Sequence, residues 1–233
     1  MYYASHFYML DENNNWYEPS TIVIKDGTTD IKGFGYQNIS SLITVYIPSS
    51  VERINYNAFR ECVNLQDIYY YGSANDWFKI DNIYEILNYT KNIYFLDENN
   101  EWYQPTEYVV EDGITEIVDS QFKGFRALES IYLPESITRI GNEAFGQCDN
   151  LKNVYYYGTM DSWVSIEFIS DKSTPMHSAS HFYLLDNNNN WYEPTEAVIS
   201  EGITEIGEYA LHNINTINKL TLPSSLDYLS YGN

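Results

Sequence analysis

The sequence gives one passage three times. Ser5-His6-Phe7-Tyr8-Met9-Leu10-Asp11 runs into Trp16-Tyr17-Glu18-Pro19, and Asn92-Ile93-Tyr94-Phe95-Leu96-Asp97 runs into Trp102-Tyr103-Gln104-Pro105. Ser180-His181-Phe182-Tyr183-Leu184-Leu185-Asp186 runs into Trp191-Tyr192-Glu193-Pro194. The three tryptophans stand 86 and 89 residues apart. Self-similarity of this length marks an array of supersecondary units, none of which can bury its apolar side alone. Such arrays work through an extended surface rather than one buried chemical centre.

A shorter period lies inside each block. Leu42, Val45, Ile47, Pro48, Val51, Ile54, Ala58, Phe59, Cys62 and Leu65 recur 86 residues later as Leu128, Ile131, Leu133, Pro134, Ile137, Ile140, Ala144, Phe145, Cys148 and Leu151. In each set the first and last leucines stand 23 positions apart, and the pattern fits neither a helix nor a strand throughout. One turn of a coil explains it. A short strand turns Val45 and Ile47 inward, Pro48 and the small residues after it turn the chain, and Val51, Ile54, Ala58 and Phe59 fill the far side. Degenerate copies place Ile22-Val23-Ile24, Tyr108-Val109-Val110 and Ala197-Val198-Ile199 in the strand slot, and Tyr36, Phe122 and Leu211 in the Phe59 slot.

The two full copies, LITVYIPSSVERINYNAFRECVNL and LESIYLPESITRIGNEAFGQCDNL, resemble the BspA-like, treponemal-type leucine-rich repeat. The resemblance covers residues from about Ile22 to Leu229 but not the Trp-Tyr passages. It implies an α/β-type repeat solenoid, a right-handed coil with a parallel concave β-sheet, here interrupted by β-hairpin inserts. It also implies a surface or secreted protein that adheres to an extracellular or host protein or to other cells. The blocks read as 1–86, 87–175 and a truncated 176–233, together one continuous solenoid. Because Met1 aligns with Met176, the chain is expected to be a piece of a longer array, and no secretory leader is legible at Met1-Tyr2-Tyr3.

In the strand slot the middle residue points outward, onto the concave face: Tyr46, Tyr69, Tyr132 and Tyr155. Tyr71 and Tyr157 follow two along, on the same side by strand alternation. Tyrosine supplies 24 residues of this chain, and aromatics with polar tips are favoured contact residues. The sequence therefore predicts a ligand-binding stripe of these six tyrosines, with cross-strand stiffening as the structural explanation and Thr221 breaking the stripe in block three. The rival binding site is a set of Trp-Tyr hairpins, in which Trp16, Trp102 and Trp191 would hold sugar rings. A passive spacer is the third reading.

Other chemistries fall away. The formal net charge of −21 opposes binding to nucleic acid, whose phosphates need Lys and Arg, and to anionic membranes. No stretch is long enough for membrane insertion. Asp11-x-Asn13-x-Asn15 and its copies at Asp97 and Asp186 alternate oxygen ligands as calcium loops do. A Trp stands where the loop glycine belongs, and the closing Glu is missing, so a hairpin tip is expected. His177 and His181, four apart, would lie about 13 Å apart in a strand, too far to share a metal. His6, His177, His181 and His212 have no nucleophile context, and carboxylates such as Asp30, Glu116 and Glu205 simply follow the repeat as solvated turn positions. The sequence thus calls for no enzyme, cofactor or metal, and for a monomer. Cys62 and Cys148 read as free, buried apolar plugs. Trp77 and Trp163 are expected on short helical turns over the coil edges, and Asp81 to Lys91 and Ser170 to Ser178 as the least ordered stretches.

Overall fold

The computed structural model describes residues 7–229. Met1 to His6 lie outside the described residues, and with them the repeat phase at Met1 and the histidine at position 6. The chain divides into two compact units, Met1–Pro105 and Thr106–Asn233.

In the first unit, Thr21–Val23, Thr44–Ile47, Asp67–Tyr70 and Asn92–Leu96 pair in that order as parallel strands. Trp102–Tyr103 then doubles back antiparallel on the last of them. Alternation assigns the two faces. Val45 and Ile47 are buried while Thr44 and Tyr46 are partly exposed, and Ile68 and Tyr70 are buried while Asp67 and Tyr69 are not. The far side carries a second, minimal sheet of two-residue strands, Asp30–Ile31 and Arg53–Ile54. Between the layers lie Leu42, Val45, Ile47, Val51, Ile54, Ala58, Phe59, Cys62 and Leu65, each at most 3% exposed. These are the repeating apolar positions of the sequence. Stacking of Tyr36 on Phe59, with centroids 5.3 Å apart, joins one coil to the next.

The polar consensus positions satisfy the turns between coils. Ser50 Oγ donates to the Thr28 carbonyl at 2.9 Å, and Asn64 Nδ2 donates to that of Ser40 at 2.7 Å. In the second unit Ser136 and Asn150 make the same bonds to Ile114 and Arg126. Each of these bonds runs from one coil to the one before it, so each coil is held by its neighbour as well as by the core.

The second unit repeats the plan. Glu107–Val109, Ser130–Leu133, Asn153–Tyr156 and His181–Leu185 form a parallel sheet closed by antiparallel Trp191–Tyr192. Glu116–Ile117, Arg139–Ile140 and Glu167–Phe168 form the second sheet. A further coil pair follows, with Glu196–Val198 on Lys219–Thr221 and Glu205–Ile206 on Tyr228–Leu229. The fold is the expected repeat solenoid of stacked parallel strands, with few helices.

Short helices sit where the Trp77 and Trp163 segments were expected to make them. Ala74–Trp77 starts from a Ser73 cap, and Met160–Val164 from a capping box of Thr159 and Ser162. Both tryptophans are fully buried. Cys62 and Cys148 are free and buried, their Sγ atoms donating to the carbonyls of Tyr36 and Phe122.

Three expectations are corrected. Asp30, Glu116 and Glu205 stand in second-sheet strands rather than turns, because stacking of the coils brings Asp30 beside Arg53 and Glu116 beside Arg139. Ser170 to Ser178 is not loose: Ser173, Thr174, Pro175 and Met176 are buried around a one-turn 3₁₀ helix, Pro175–His177. Likewise Asp81 to Lys91 carries a helical turn at Tyr84–Leu87, and Thr90 Oγ1 is buried on the Ile86 carbonyl at 2.8 Å. The Trp-Tyr passages pair as hairpins: at Trp102 and Trp191 the first strand extends the parallel sheet and the second closes it, while Met9–Leu10 and Trp16–Tyr17 form a two-stranded sheet of their own.

Candidate functional site: two aromatic sheet faces

The sequence Tyr69-Tyr70-Tyr71-Gly72 builds the outer face by alternation. Tyr70 turns inward, 1% exposed, and meets the edge of Trp77 at 5.3 Å. Its flanking tyrosines turn outward, Tyr71 being 46% exposed. Gly72 is required here, because a Cβ at that position would lie 2.5 Å from the Tyr70 ring. Gly158 does the same for Tyr156.

The parallel register aligns the outward tyrosines into a ladder. Tyr46 stacks on Tyr69 at 4.8 Å, and Tyr69 on Tyr94 at 4.6 Å. In the second unit Tyr132 stacks on Tyr155 at 4.5 Å, and Tyr155 on Tyr183 at 4.6 Å. Hydrogen-bonded neighbours in a sheet are spaced at about this distance, so the rings stack without leaving the strand geometry.

The hairpin tryptophan then folds back over its own ladder. Trp102 lies 5.0 Å from Tyr69, 5.1 Å from Tyr71 and 6.2 Å from Tyr46, tilted 68–80° to them. Trp191 repeats this over Tyr155, Tyr157 and Tyr132 at 5.0, 5.0 and 6.2 Å. The structure therefore merges the two residue sets that the sequence offered as rivals. Trp102 and Trp191 are half-buried lids on the tyrosine ladders rather than separate platforms. Trp16 differs: it is 68% exposed, with Tyr17 and Tyr8 exposed beside it.

Two ladder members, Tyr94 and Tyr183, escape the sequence reading. The signal was present, because Asn92-Ile93-Tyr94-Phe95 copies the alternation of Asp67-Ile68-Tyr69-Tyr70. It was hidden by longer crossovers, 25 and 28 residues in place of 23, which carry the extra helical turns.

Among the described residues, the hydroxyls of Tyr46, Tyr69, Tyr71, Tyr132, Tyr155 and Tyr157 make no hydrogen bond within the chain. Burial, then neighbouring Tyr94 and Asp67, pushes the Tyr69 hydroxyl above its ordinary value. Burial and then Glu107 do the same at Tyr132, and burial and then Glu193 at Tyr183. These groups remain protonated donors at neutral pH. Each face so offers an apolar ladder edged with unspent hydrogen-bonding capacity.

The remaining candidates find local partners. Asp11, Asp97 and Asp186 each accept backbone N–H bonds from two residues of their own hairpin tip, within 2.7–2.9 Å. Those bonds hold all three carboxyls below the usual range. Asn14, Asn100 and Asn189 take the left-handed turn position, a conformation that asparagine tolerates. His177 faces Asp171 at 3.6 Å, and His181 Nδ1 pairs with Glu193 at 2.8 Å. Among the described residues no group of three or more His, Cys, Asp or Glu is placed to hold a metal ion.

Comparison with known families settles the lineage of this architecture. The model of the BspA type leucine-rich repeat region matches in six copies, over residues 14–100, 100–174 and 185–232. The chain belongs to this family. Proteins of this leucine-rich-repeat family are generally non-catalytic binding modules. No curated protein matches the chain. Similar solved structures include a leucine-rich cell surface protein from Faecalibacterium prausnitzii, at 27% identity over 70% of this chain and 41% of that one, with a TM-score of 0.30. A leucine-rich repeat protein from Bacteroides ovatus matches at 18% identity over 91% and 56%, with a TM-score of 0.41. One from Eubacterium ventriosum matches at 18% identity over 90% and 60%, with a TM-score of 0.36. The chain thus spans about half the length of these proteins. No helix among the described residues is long and apolar enough to cross a membrane.

Proposed function

We propose that this leucine-rich-repeat chain is a non-catalytic adhesion module of a surface or secreted protein, binding a macromolecular ligand, foremost an extracellular or host protein, across its aromatic sheet faces. The observation that carries this reading is the duplicated ladder with its tryptophan lid. Stacking alone accounts for rings laid flat against one another. The same rings also line a solvent-facing surface with polar tips, a composition that suits recognition. The family resemblance supports the localisation.

Sugar binding is the second reading, and the exposure of Trp16 favours it at that hairpin. At Trp102 and Trp191 the stacked tyrosine faces are already occupied by one another, which leaves little flat surface for a sugar ring.

The test is a binding screen of the whole chain against matrix proteins and glycans. A variant with Tyr46, Tyr69, Tyr132 and Tyr155 changed to Ser, checked for folding by circular dichroism, runs beside it. Protein binding lost in that variant is the expected result. Glycan binding that survives it but is lost in Trp16→Ala favours the second reading. No binding to any member of the panel leaves the spacer.

A further inference from the structure

The two aromatic faces share one scaffold, but the charges around them differ. In the first unit the end of the ladder at Tyr71 opens into a cavity of about 450 Å³, whose lining includes Val23, Pro48, Lys25 and Ser49. A shift of 86 residues carries these to Val109, Pro134, Glu111 and Glu135, with Tyr71 becoming Tyr157. The cationic and neutral positions of one unit are thus carboxylates in the other.

The difference continues around the ladder. Thr21 of the first unit becomes Glu107, which lies near enough to raise the Tyr132 hydroxyl. Gln104, two residues past the lid, becomes Glu193, while Glu101, directly before it, becomes Asn190. Asp26 and Asp112 match, and Asp67 is replaced by Asn153. Over these matched positions the first unit carries Lys25, Asp26, Asp67 and Glu101, a net −2. The second carries Glu107, Glu111, Asp112, Glu135 and Glu193, a net −5 by formal Asp, Glu, Lys and Arg charges. Mere solubility would not gather the excess around one of two otherwise matched faces.

We propose that the aromatic face of the second unit receives an arginine or lysine side chain of a partner protein, seated against Tyr157 and Trp191 and flanked by Glu111 and Glu135, and that the first unit, with Lys25 and Ser49, does not. Cations are drawn to Tyr and Trp faces, and nearby carboxylates add Coulomb attraction that strengthens as the site is desolvated. The exposed, unbonded hydroxyl of Tyr157 adds an acceptor. This rests on the reading that the aromatic faces are the binding surfaces, and it names the partner chemistry for one of them.

The experiment is calorimetric titration of the whole chain with a hexa-arginine peptide and with its citrulline counterpart, which keeps the shape and removes the charge. One site for the arginine peptide and none for the citrulline peptide is expected. Giving the second unit the residues of the first, Glu111→Lys with Glu135→Ser, should weaken binding at least about tenfold. Trp191→Ala, which leaves the charge intact, should weaken it similarly, whereas Trp102→Ala should not. The converse pair, Lys25→Glu with Ser49→Glu, should create a second site, a gain that misfolding cannot imitate. Arginine binding unchanged by both Trp191→Ala and the charge exchange overturns the proposal, because attraction to the overall negative charge would then explain it. If a protein ligand from the screen is lost with the four tyrosines while the arginine peptide fails to bind, the cationic partner is wrong and the adhesion reading stands.

Discussion

Trp77 and Trp163 occupy the same place in the two units, fully buried under a capped helical turn and edge-on to an inward tyrosine. Trp163 donates its indole N–H to the Ala210 carbonyl at 2.7 Å, tying the helical turn to the coil pair that follows. Trp77 Nε1 is buried without a partner. The lysine and glutamate near the far turns differ in the same way. Lys123 bonds Glu143 at 2.6 Å, with Lys172 on the other carboxylate oxygen, while the first unit has Gln37 and Asn57 at the matched positions. The apolar consensus and the tyrosine ladders do not differ. A repeat conserves what stacking requires, because each coil must fit its neighbours. It is free to vary polar positions that serve one place only, as at Trp163, Glu111 and Glu135.

The equivalence of the two cores is the part easiest to break. Phe59→Ala and Phe145→Ala should each cost about 3–5 kcal/mol, the cost of emptying a packed aromatic site. Denaturant titration of the two variants checks this. A small loss at either position would mean that the matched sequences are not matched in packing.

The tryptophans sharpen the contrast. Trp→Phe removes the same atoms from both units, but at position 163 it also strands the Ala210 carbonyl, while at 77 it removes a donor that had no acceptor. Trp163→Phe should therefore be more destabilising than Trp77→Phe by about 1–3 kcal/mol. Equal losses would show that the Ala210 bond contributes nothing net.

Acid should separate the units next. The hydrogen bond and charge of Lys123, aided by Lys172, hold the Glu143 carboxyl below its ordinary value. Its stabilising contribution is complete above the unfolded value near 4.5 and fades as pH falls through the lower folded value. Glu143→Gln should be less stable than the parent at neutral pH, and the gap should close on acidification below that range. Asn57→Ala, its counterpart without a charge, should show a gap that does not depend on pH over the same range. Stability measured across pH 3–7 gives the answer.

The smallest effects are chemical. Burial pushes the Cys62 thiol up to about 11 and the Cys148 thiol up to about 12. Neither should react with a thiol reagent in the native protein at neutral pH, since the thiolate is the reactive form. In denaturant both should react. Acrylamide should quench Trp16 strongly, Trp102 and Trp191 partly, and Trp77 and Trp163 least, as resolved with single-tryptophan variants.

Much of this was legible in the chain. The 23-residue spacing of Leu42 through Leu65 identified the coil, and strand alternation placed Tyr46, Tyr69 and Tyr71 outward. Both are local periodicities, and a solenoid is built from contacts between neighbours at a fixed offset. What the sequence hid was anything that depends on where the offset changes. Tyr94 and Tyr183 lay beyond crossovers longer than the repeat, and so passed for part of a separate insert.

The sequence by itself therefore determined the family, the core, the helical turns at Trp77 and Trp163, and the outward tyrosines. Each follows from side-chain period and short-range hydrogen bonding. Only the tertiary structure decided that Trp102 and Trp191 close over those tyrosines, and that Arg53 and Arg139 bridge acidic residues from neighbouring coils. Only it brought Trp163 onto Ala210, 47 positions away. Such meetings depend on how far each hairpin folds back and how the coils stack, which register and packing fix and no local pattern encodes.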